Sequence, residues 1–448
     1  MVSGSGSRDS RMRWVLWGAL ALVPFIGLVW FLVKFSVDVP FWDDWALIPF
    51  LEKSYQGTLT LADLWKQENE HRLFFPKIIF ILFARLGGWN AAWMLVLNII
   101  LAAGTFAVLA YQIKLTLAET VHSGMGGLLP ILSLIVFSLS QWENWLWGAG
   151  VCIFLNTLAV ISGLLVLCAP VFKWRHFLAA CILGVVGTYS NANGLIFWPL
   201  GLWVLWASSS SDRKVKALRM ELWELLGLLV ILSYLYRYSK PAHHPSVWIF
   251  LQRPFGYAEF VLTYLGASLV SFSRKGAFWA GLGGLAVFSF APVILRRPPK
   301  IPFRALIPHL CVGLYFVGTA FMVGIGRLGF GTKTAMRSHY ITQAYPFWIS
   351  TLIFLHLLIH PGALKQGRYS SRLWGCVFSA AVLLGCLSSL YGIVGFRRFH
   401  ERLSAGRAEL LSRKEGAPLK LLTPIQPPAL DERIAVLRKH RLSVFRHE

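Results

Sequence analysis

The chain has 448 residues, 56% of them hydrophobic and only 14% charged, with a formal net charge of +23. That composition excludes an ordinary soluble domain and predicts an all-α polytopic membrane protein with about eleven spans. Lys and Arg fall mainly between apolar runs and near the C-terminal end, a pattern set by topology and anionic lipid, so nucleic acid is not an expected partner.

The first apolar run, Trp14–Phe35, follows Arg8, Arg11 and Arg13. It is longer than a signal-peptide core and lacks a small-x-small cleavage site, so a retained span is expected, with residues 1–13 cytoplasmic. Residues 14–395 form the expected transmembrane domain, whose first outside loop covers 36–76. Residues 38–72 of that loop hold 7 of the 20 acidic residues. Carboxylates gathered beside a bilayer are costly to keep near like charge and point to chemistry or ion binding.

Pro76–Leu86 is expected to lie in the interface. Spans follow at Trp89–Leu115, Gly127–Leu139, Val151–Pro170, Phe177–Tyr189, Gly194–Ala207 and Glu221–Tyr238. The loops FKWRH and SSSSDRKVKALR lie inside, while SQWENWLWG and SNANG lie outside. Between the outside loop SKPAHHPSVW and the inside loop RRPPKIPFR only one run can cross. Gly276–Leu295 is assigned as the span and Gly256–Phe272 as interfacial or re-entrant. Ala305–Ile325, Ile341–His360 and Leu373–Gly395 complete the set, with GALKQGRYSSR inside. The tail, 396–448, is expected outside, with amphipathic stretches Arg402–Leu411 and Leu430–Leu437 split by TPIQPP. This alternation puts FWDDW, QENEHR, QWENW, SNANG, SKPAHH and GRLGFGTKTAMRSHY on one face, as a site at the membrane surface requires.

Asp43 and Asp44 lie between Trp42 and Trp45. Neighbouring residues diverge on a helix and oppose on a strand, so one carboxylate faces a cavity while the other caps or pairs. Beside indole rings a carboxyl is desolvated and its pKa raised, which suits a general base; the competing role is an N-cap for a helix starting at Trp45. In QENEHR, Glu68 and Arg72 are spaced for a local helical ion pair, leaving Glu70 and His71 for a metal or a sugar hydroxyl. Arg327, Lys333, Arg337 and His339 bring basic groups and flexible glycines to the end of a span, a phosphate-binding pattern with Arg337 the foremost contact. Interfacial snorkelling is the competing role. Glu143, between Trp142 and Trp145, is a sugar contact or a belt residue, and His243 and His244 are site-lining candidates.

Other patterns carry less. Gly324, Gly326 and Gly329 spell G-x-G-x-x-G but end an apolar helix with no strand before them, which excludes a dinucleotide fold. GFGTKT lacks the Gly-Lys adjacency of a phosphate loop. His356 and His360 are expected at a helix interface, and Asn191 and Asn193 in a turn. The six cysteines sit in apolar runs without a C-x-x-C pair, so neither a disulfide framework nor a zinc site is expected.

An inside N-terminus, a first span, an outside loop bearing FWDDW, a short interfacial helix and many further spans together resemble the GT-C glycosyltransferase superfamily. That superfamily includes the protein O-mannosyltransferases and the bacterial aminoarabinose transferases of lipid A. The resemblance covers residues 14–115 in layout and the remainder loosely. It departs from those branches in lacking a K-P-P-like segment after the acidic loop, where HRLFFPKIIF stands instead. It implies an enzyme of a bacterial inner membrane that transfers a sugar, with inversion, from a polyprenyl-phosphate donor at the outer face. The acceptor would be a glycan, lipid or protein. It also implies Asp43 or Asp44 as base or as ligand of a divalent cation (Mg or Mn), with Glu70 a further ligand candidate. Arg337 would meet the lipid phosphate, alongside Arg72 and the other basic groups.

Two other classes compete. A transporter or flippase of lipid-linked sugars or other anions predicts polar groups at mid-membrane depth and internal repeats, whereas the runs are almost wholly apolar and no repeat is evident. A scaffold predicts polar loops splayed apart with no shared cavity.

Overall fold

The computed structural model describes residues 5–120, 127–208, 212–242, 244–297, 301–359, 368–425 and 427–446. His243 and His360 lie outside the described residues, as do parts of three expected inside loops (209–211, 298–300 and 361–367) and the side chains of Arg8, Arg11 and Arg13. The described residues are all-helical, 78% helix without a β-strand.

The helices in order are α1 (Ser5–Phe35), α2 (Asp44–Tyr55), α3 (Leu61–Trp65), α4 (Phe74–Gly87), α5 (Ala91–Thr120), α6 (Leu128–Val136), α7 (Trp142–Leu146), α8 (Val151–Leu167), α9 (Trp174–Thr188) and α10 (Phe197–Ala207). They continue as α11 (Arg213–Leu235), α12 (Ile249–Gln252), α13 (Pro254–Ala267), α14 (Arg274–Leu295), α15 (Phe303–Arg327), α16 (Ser338–Ile341), α17 (Tyr345–Ile359), α18 (Arg368–Leu411) and α19 (Leu430–Lys439).

Six segments, drawn from α1, α5, α8, α14, α15 and α18, are long and apolar enough to cross a membrane. They coincide with six of the expected spans. The other five differ for physical reasons. α6 has nine residues, about 14 Å at 1.5 Å per residue, half of what hydrocarbon requires. α9 and α17 have 15 residues each, and α10 has 11. α11 is long, but Arg213, Lys214, Lys216, Arg219, Glu221 and Glu224 occupy its first half. Large apolar side chains such as Val33 on α1, Leu228 and Leu232 on α11 and Leu383 on α18 stay exposed. Water does not reward such surface; lipid does.

α13 has 14 residues and folds back on α14 as a tight hairpin. The contact needs glycine, because a Cβ at Gly266 would stand 1.8 Å from the Ala277 carbonyl oxygen and one at Gly281 would stand 1.9 Å from that of Leu262. Small residues let two backbones meet where lipid supplies no hydrophobic drive.

The C-terminal end departs most from expectation. α18 does not stop at Gly395 but runs unbroken through Leu411, 44 residues or about 66 Å. The chain then returns to the acidic loop, so residues 412–446 are a packed layer rather than a tail. Leu419, Leu422, Leu437, Leu442 and Phe445 are fully buried.

Candidate functional site

Five of the six polar segments line one cavity of about 1610 Å³, joined there by Trp147 from just after the sixth. Trp42, Asp43 and Trp45 come from the FWDDW turn, and residues 67–72 supply QENEHR. Trp147 follows QWENW, and Asn191 and Asn193 belong to SNANG. Lys240 and His244 come from the loop after α11, while Arg327, Arg337, His339 and Tyr340 follow α15. Thr423, Ile425, Pro427, Pro428 and Arg433 of the C-terminal layer close one side. The lining holds seven Lys or Arg side chains against four Asp or Glu.

Asp43 and Asp44 diverge. Asp43 is exposed and lines the cavity. It occupies the N-cap of α2 without making a side-chain capping hydrogen bond. Asp44 is 4% exposed and accepts a hydrogen bond from Phe41 N at 3.0 Å. Burial pushes Asp44 up to about 8, with Asp43's charge adding to the rise and hydrogen bonds from Phe41 N and Trp147 opposing it. The carboxyl with the raised pKa therefore faces the protein, and its neighbour faces the cavity. The turn is tense: Trp42 has φ 49°, the left-handed region that a bulky side chain rarely adopts. Three contacts hold it there. Trp42 N donates to Leu422 O at 2.8 Å, its ring stacks on Trp147 at 6.1 Å, and the Arg337 guanidinium lies 5.9 Å from its centroid.

QENEHR is not helical, which removes the expected Glu68–Arg72 pair. Glu68 N donates to His71 O and His71 N to Glu68 O, closing a tight turn with Asn69 at φ 52°. Glu68 instead meets Lys77 at 3.3 Å, and burial raises its pKa against Lys77's pull. Arg72 is buried and donates to the carbonyls of Tyr234 (2.6 Å), Trp65 (2.8 Å) and Tyr236, so it fastens this loop to the end of α11. Glu70 pairs with Arg327, whose Nη1 lies 3.1 Å from His244 Nδ1 and whose Nε donates to Tyr340 Oη at 3.2 Å. His71 Nδ1 accepts from Ala192 N at 3.2 Å. Burial, opposed by Asp43's charge, lowers the His71 pKa to about 4.

Lys333 is exposed and is not among the cavity-lining residues, unlike the other basic groups of its segment. Arg337 is exposed on the wall. His339 Nδ1 lies 2.9 Å from Glu143 Oε2. Burial would raise Glu143, but the charge and hydrogen bond of His339 and the charge of Arg337 outweigh it and leave its pKa lowered. Among the described residues no three His, Cys, Asp or Glu side chains come together as a metal site. Of the three carboxylates expected as cation ligands, Asp44 is turned inward, while Asp43 and Glu70 line the cavity and Glu70 is joined to Arg327.

Several residues that brace the cavity's surroundings had no signal of their own. Asn144 donates to His339 O (2.9 Å) and Thr342 Oγ1 (2.7 Å), Thr342 donates to Gln141 Oε1 (2.6 Å), and Ser338 donates to Ser140 O (2.8 Å). Trp147 Nε1 donates to Phe41 O at 3.0 Å, tying this joint to the FWDDW turn. Arg433 donates to the Trp45 carbonyl. Asn191 and Asn193, expected as turn formers, line the cavity, and Asn193 Nδ2 donates to Thr319 Oγ1 at 3.3 Å. His356, expected at a helix interface, packs edge-on against Trp374 at 4.4 Å. The only cue to the SQWENWLWG joint was the density of amides among tryptophans.

No family model matches the chain, and no curated protein or solved structure matches it.

Proposed function

We propose that the chain is a membrane glycosyltransferase that moves a sugar from a polyprenyl-phosphate donor to a glycan, lipid or protein acceptor. One observation carries the reading: Asp43 and Arg337 line the same cavity and are joined through Trp42. An exposed carboxylate beside a predominantly basic wall suits a reaction in which a hydroxyl loses a proton while a phosphate gains charge.

The acceptor hydroxyl gives its proton to the Asp43 carboxylate as its oxygen bonds to the sugar's anomeric carbon. The bond from that carbon to the phosphate oxygen breaks with its electron pair moving to the phosphate. Arg337 meets the added negative charge. A single displacement of this kind inverts the anomeric centre. The reading places the site at the outer face of a bacterial inner membrane, with the N-terminus cytoplasmic and the other five expected segments, extended by the turns beside their helices, completing about eleven crossings.

The test is release of polyprenyl phosphate by the purified chain in nanodiscs holding mixed polyprenyl-phosphate sugars. Loss of release in Asp43→Asn and Arg337→Gln is expected. Passage of intact lipid-linked sugar across liposomes without cleavage would overturn it in favour of a flippase.

A further inference from the structure

Glu143 and His339, read separately in the sequence as a sugar contact or belt residue and as part of a phosphate-binding pattern, form a carboxylate–imidazole pair. Glu143 is 8% exposed and lies behind His339, which lines a cavity whose cations outnumber its carboxylates. Its backbone N donates to Ser338 Oγ at 3.1 Å, and Asn144 grips the His339 carbonyl, so both partners are fixed from the main chain as well. The 2.9 Å contact joins Nδ1 to Oε2. A carboxylate there requires an Nδ1–H, which leaves Nε2 as the ring nitrogen for the cavity. The imidazole also packs edge-on against Tyr340 at 4.2 Å, and Tyr340 is bonded in turn to Arg327. The groups facing His339 are thus Glu143 from α7, and Arg337, Tyr340 and, through Tyr340, Arg327 from its own segment.

We propose that His339 is a second ligand of the donor phosphate, giving an Nε2–H to the oxygen that leaves the sugar while Glu143 holds the ring as its counter-charge. The inference rests on the glycosyltransferase reading and adds a residue to it. In the displacement the phosphodiester monoanion becomes a phosphomonoester dianion. One guanidinium balances the first charge, and the imidazolium N–H meets the second. No proton need transfer, so the step balances as a hydrogen bond that strengthens as charge develops.

The test is calorimetric binding of two probes, farnesyl phosphate and inorganic phosphate, to the full chain in nanodiscs. The parent, His339→Gln and Glu143→Gln are compared, with thermal unfolding of each preparation beside it. The parent is expected to bind farnesyl phosphate, and each variant to weaken it roughly tenfold or more, as loss of a charged hydrogen bond predicts. The double variant should be no weaker than the worse single one, since the two groups act as a unit. Should Glu143→Gln fail to fold, His339→Gln alone decides. Equal affinity for the two probes would assign the site to free phosphate and keep His339 as its ligand; tighter farnesyl phosphate binding assigns it to the lipid. Unchanged binding in folded variants overturns the proposal and leaves the transferase reading intact. A parent that binds neither probe removes both.

Discussion

Arg337 sits over the indole of Trp42, its guanidinium carbon 5.9 Å from the ring centroid, so a residue near the end of the membrane region is latched to the one preceding Asp43. The two sites are 295 positions apart in the chain, by subtraction of their residue numbers. Because a guanidinium stacks on an aromatic face and an ammonium does so less well, the contact also discriminates Arg from Lys.

Two outcomes are expected from that latch. Arg337→Lys keeps the charge but loses the planar fork, and should lower sugar transfer by about tenfold or more if bidentate phosphate binding matters. Trp42→Ala removes the stacking partner and relaxes the strained turn, and should reduce the rate through Asp43 while leaving farnesyl phosphate affinity closer to that of the parent. Separate kcat and KM values decide between these. Equal losses in both constants for both variants would argue against two distinct roles.

Asp44 supplies a pH signature. Its folded-state pKa is raised to about 8, so the folded protein keeps this proton over a range in which the unfolded chain has lost it. The native state then binds more protons between the ordinary carboxylate value and 8, and stability falls as pH rises through that window. The contribution is fully present below the ordinary value and lost by about pH 8. Asp44→Asn keeps an oxygen acceptor for Phe41 N without a charge to bury. It should be more stable than the parent at pH 8, on the order of 1 kcal/mol or more, and closer to it at pH 5. Asp43→Asn, at an exposed position, should not reproduce that gain. Thermal melts at the two pH values read the difference, and parallel profiles for parent and Asp44→Asn would refute it.

Much of this was legible in the sequence because lipid imposes simple rules on composition. Long apolar runs marked α1, α5, α8, α14, α15 and α18, and charge alternation put the polar loops on one face, where five of the six line one cavity. Divergence of neighbouring residues separated Asp43 from Asp44. What failed was local pairing. The Glu68–Arg72 spacing presupposed a helix, but Asn69 turns the chain through the left-handed region, sending Glu68 to Lys77 and Arg72 to the carbonyls at the end of α11. No pattern in the chain announces a guanidinium that bonds distant carbonyls. The Glu143–His339 pair spans 196 positions and was equally hidden. In the C-terminal layer the amphipathic stretch Leu430–Leu437 lies within α19, whereas the burial of Leu419 and Leu422 beside the breaker run had no periodic pattern to announce it.

The α13–α14 hairpin rests on two glycines and offers a sharp packing test. A Cβ at Gly281 would fall 1.9 Å from a backbone oxygen, which has no rotamer to move aside. Gly281→Ala should therefore separate the helices and cost about 1–3 kcal/mol or more, the range for overpacking. Gly283, whose Cβ would meet nothing within 4 Å, is the control and should tolerate Ala. Detergent-solubilised melting temperatures compare the two, and equal tolerance would contradict the backbone approach.

The acidic loop itself is held by the C-terminal layer. Glu52 meets Lys439 at 2.8 Å and His440 at 2.5 Å, Asp38 meets Arg446 at 2.6 Å, and His440 stacks on Tyr55 at 4.0 Å. These pairs are partly exposed and each is worth little alone. The buried apolar contacts beneath them hold the layer down, since Leu437 and Phe445 are fully enclosed. Leu437→Ala should thus cost about 2–5 kcal/mol locally, releasing residues 412–446 to protease while the membrane helices stay folded. High salt should do far less, because screening weakens only the ion pairs. Arg433→Ala, which removes the donor to the Trp45 carbonyl, should lower transfer with little change in proteolysis, and Arg433→Lys should restore part of it. Limited digestion run beside the transfer assay checks both. If Leu437→Ala frees the layer and the rate is unchanged, the C-terminal layer covers the acidic loop without shaping the site.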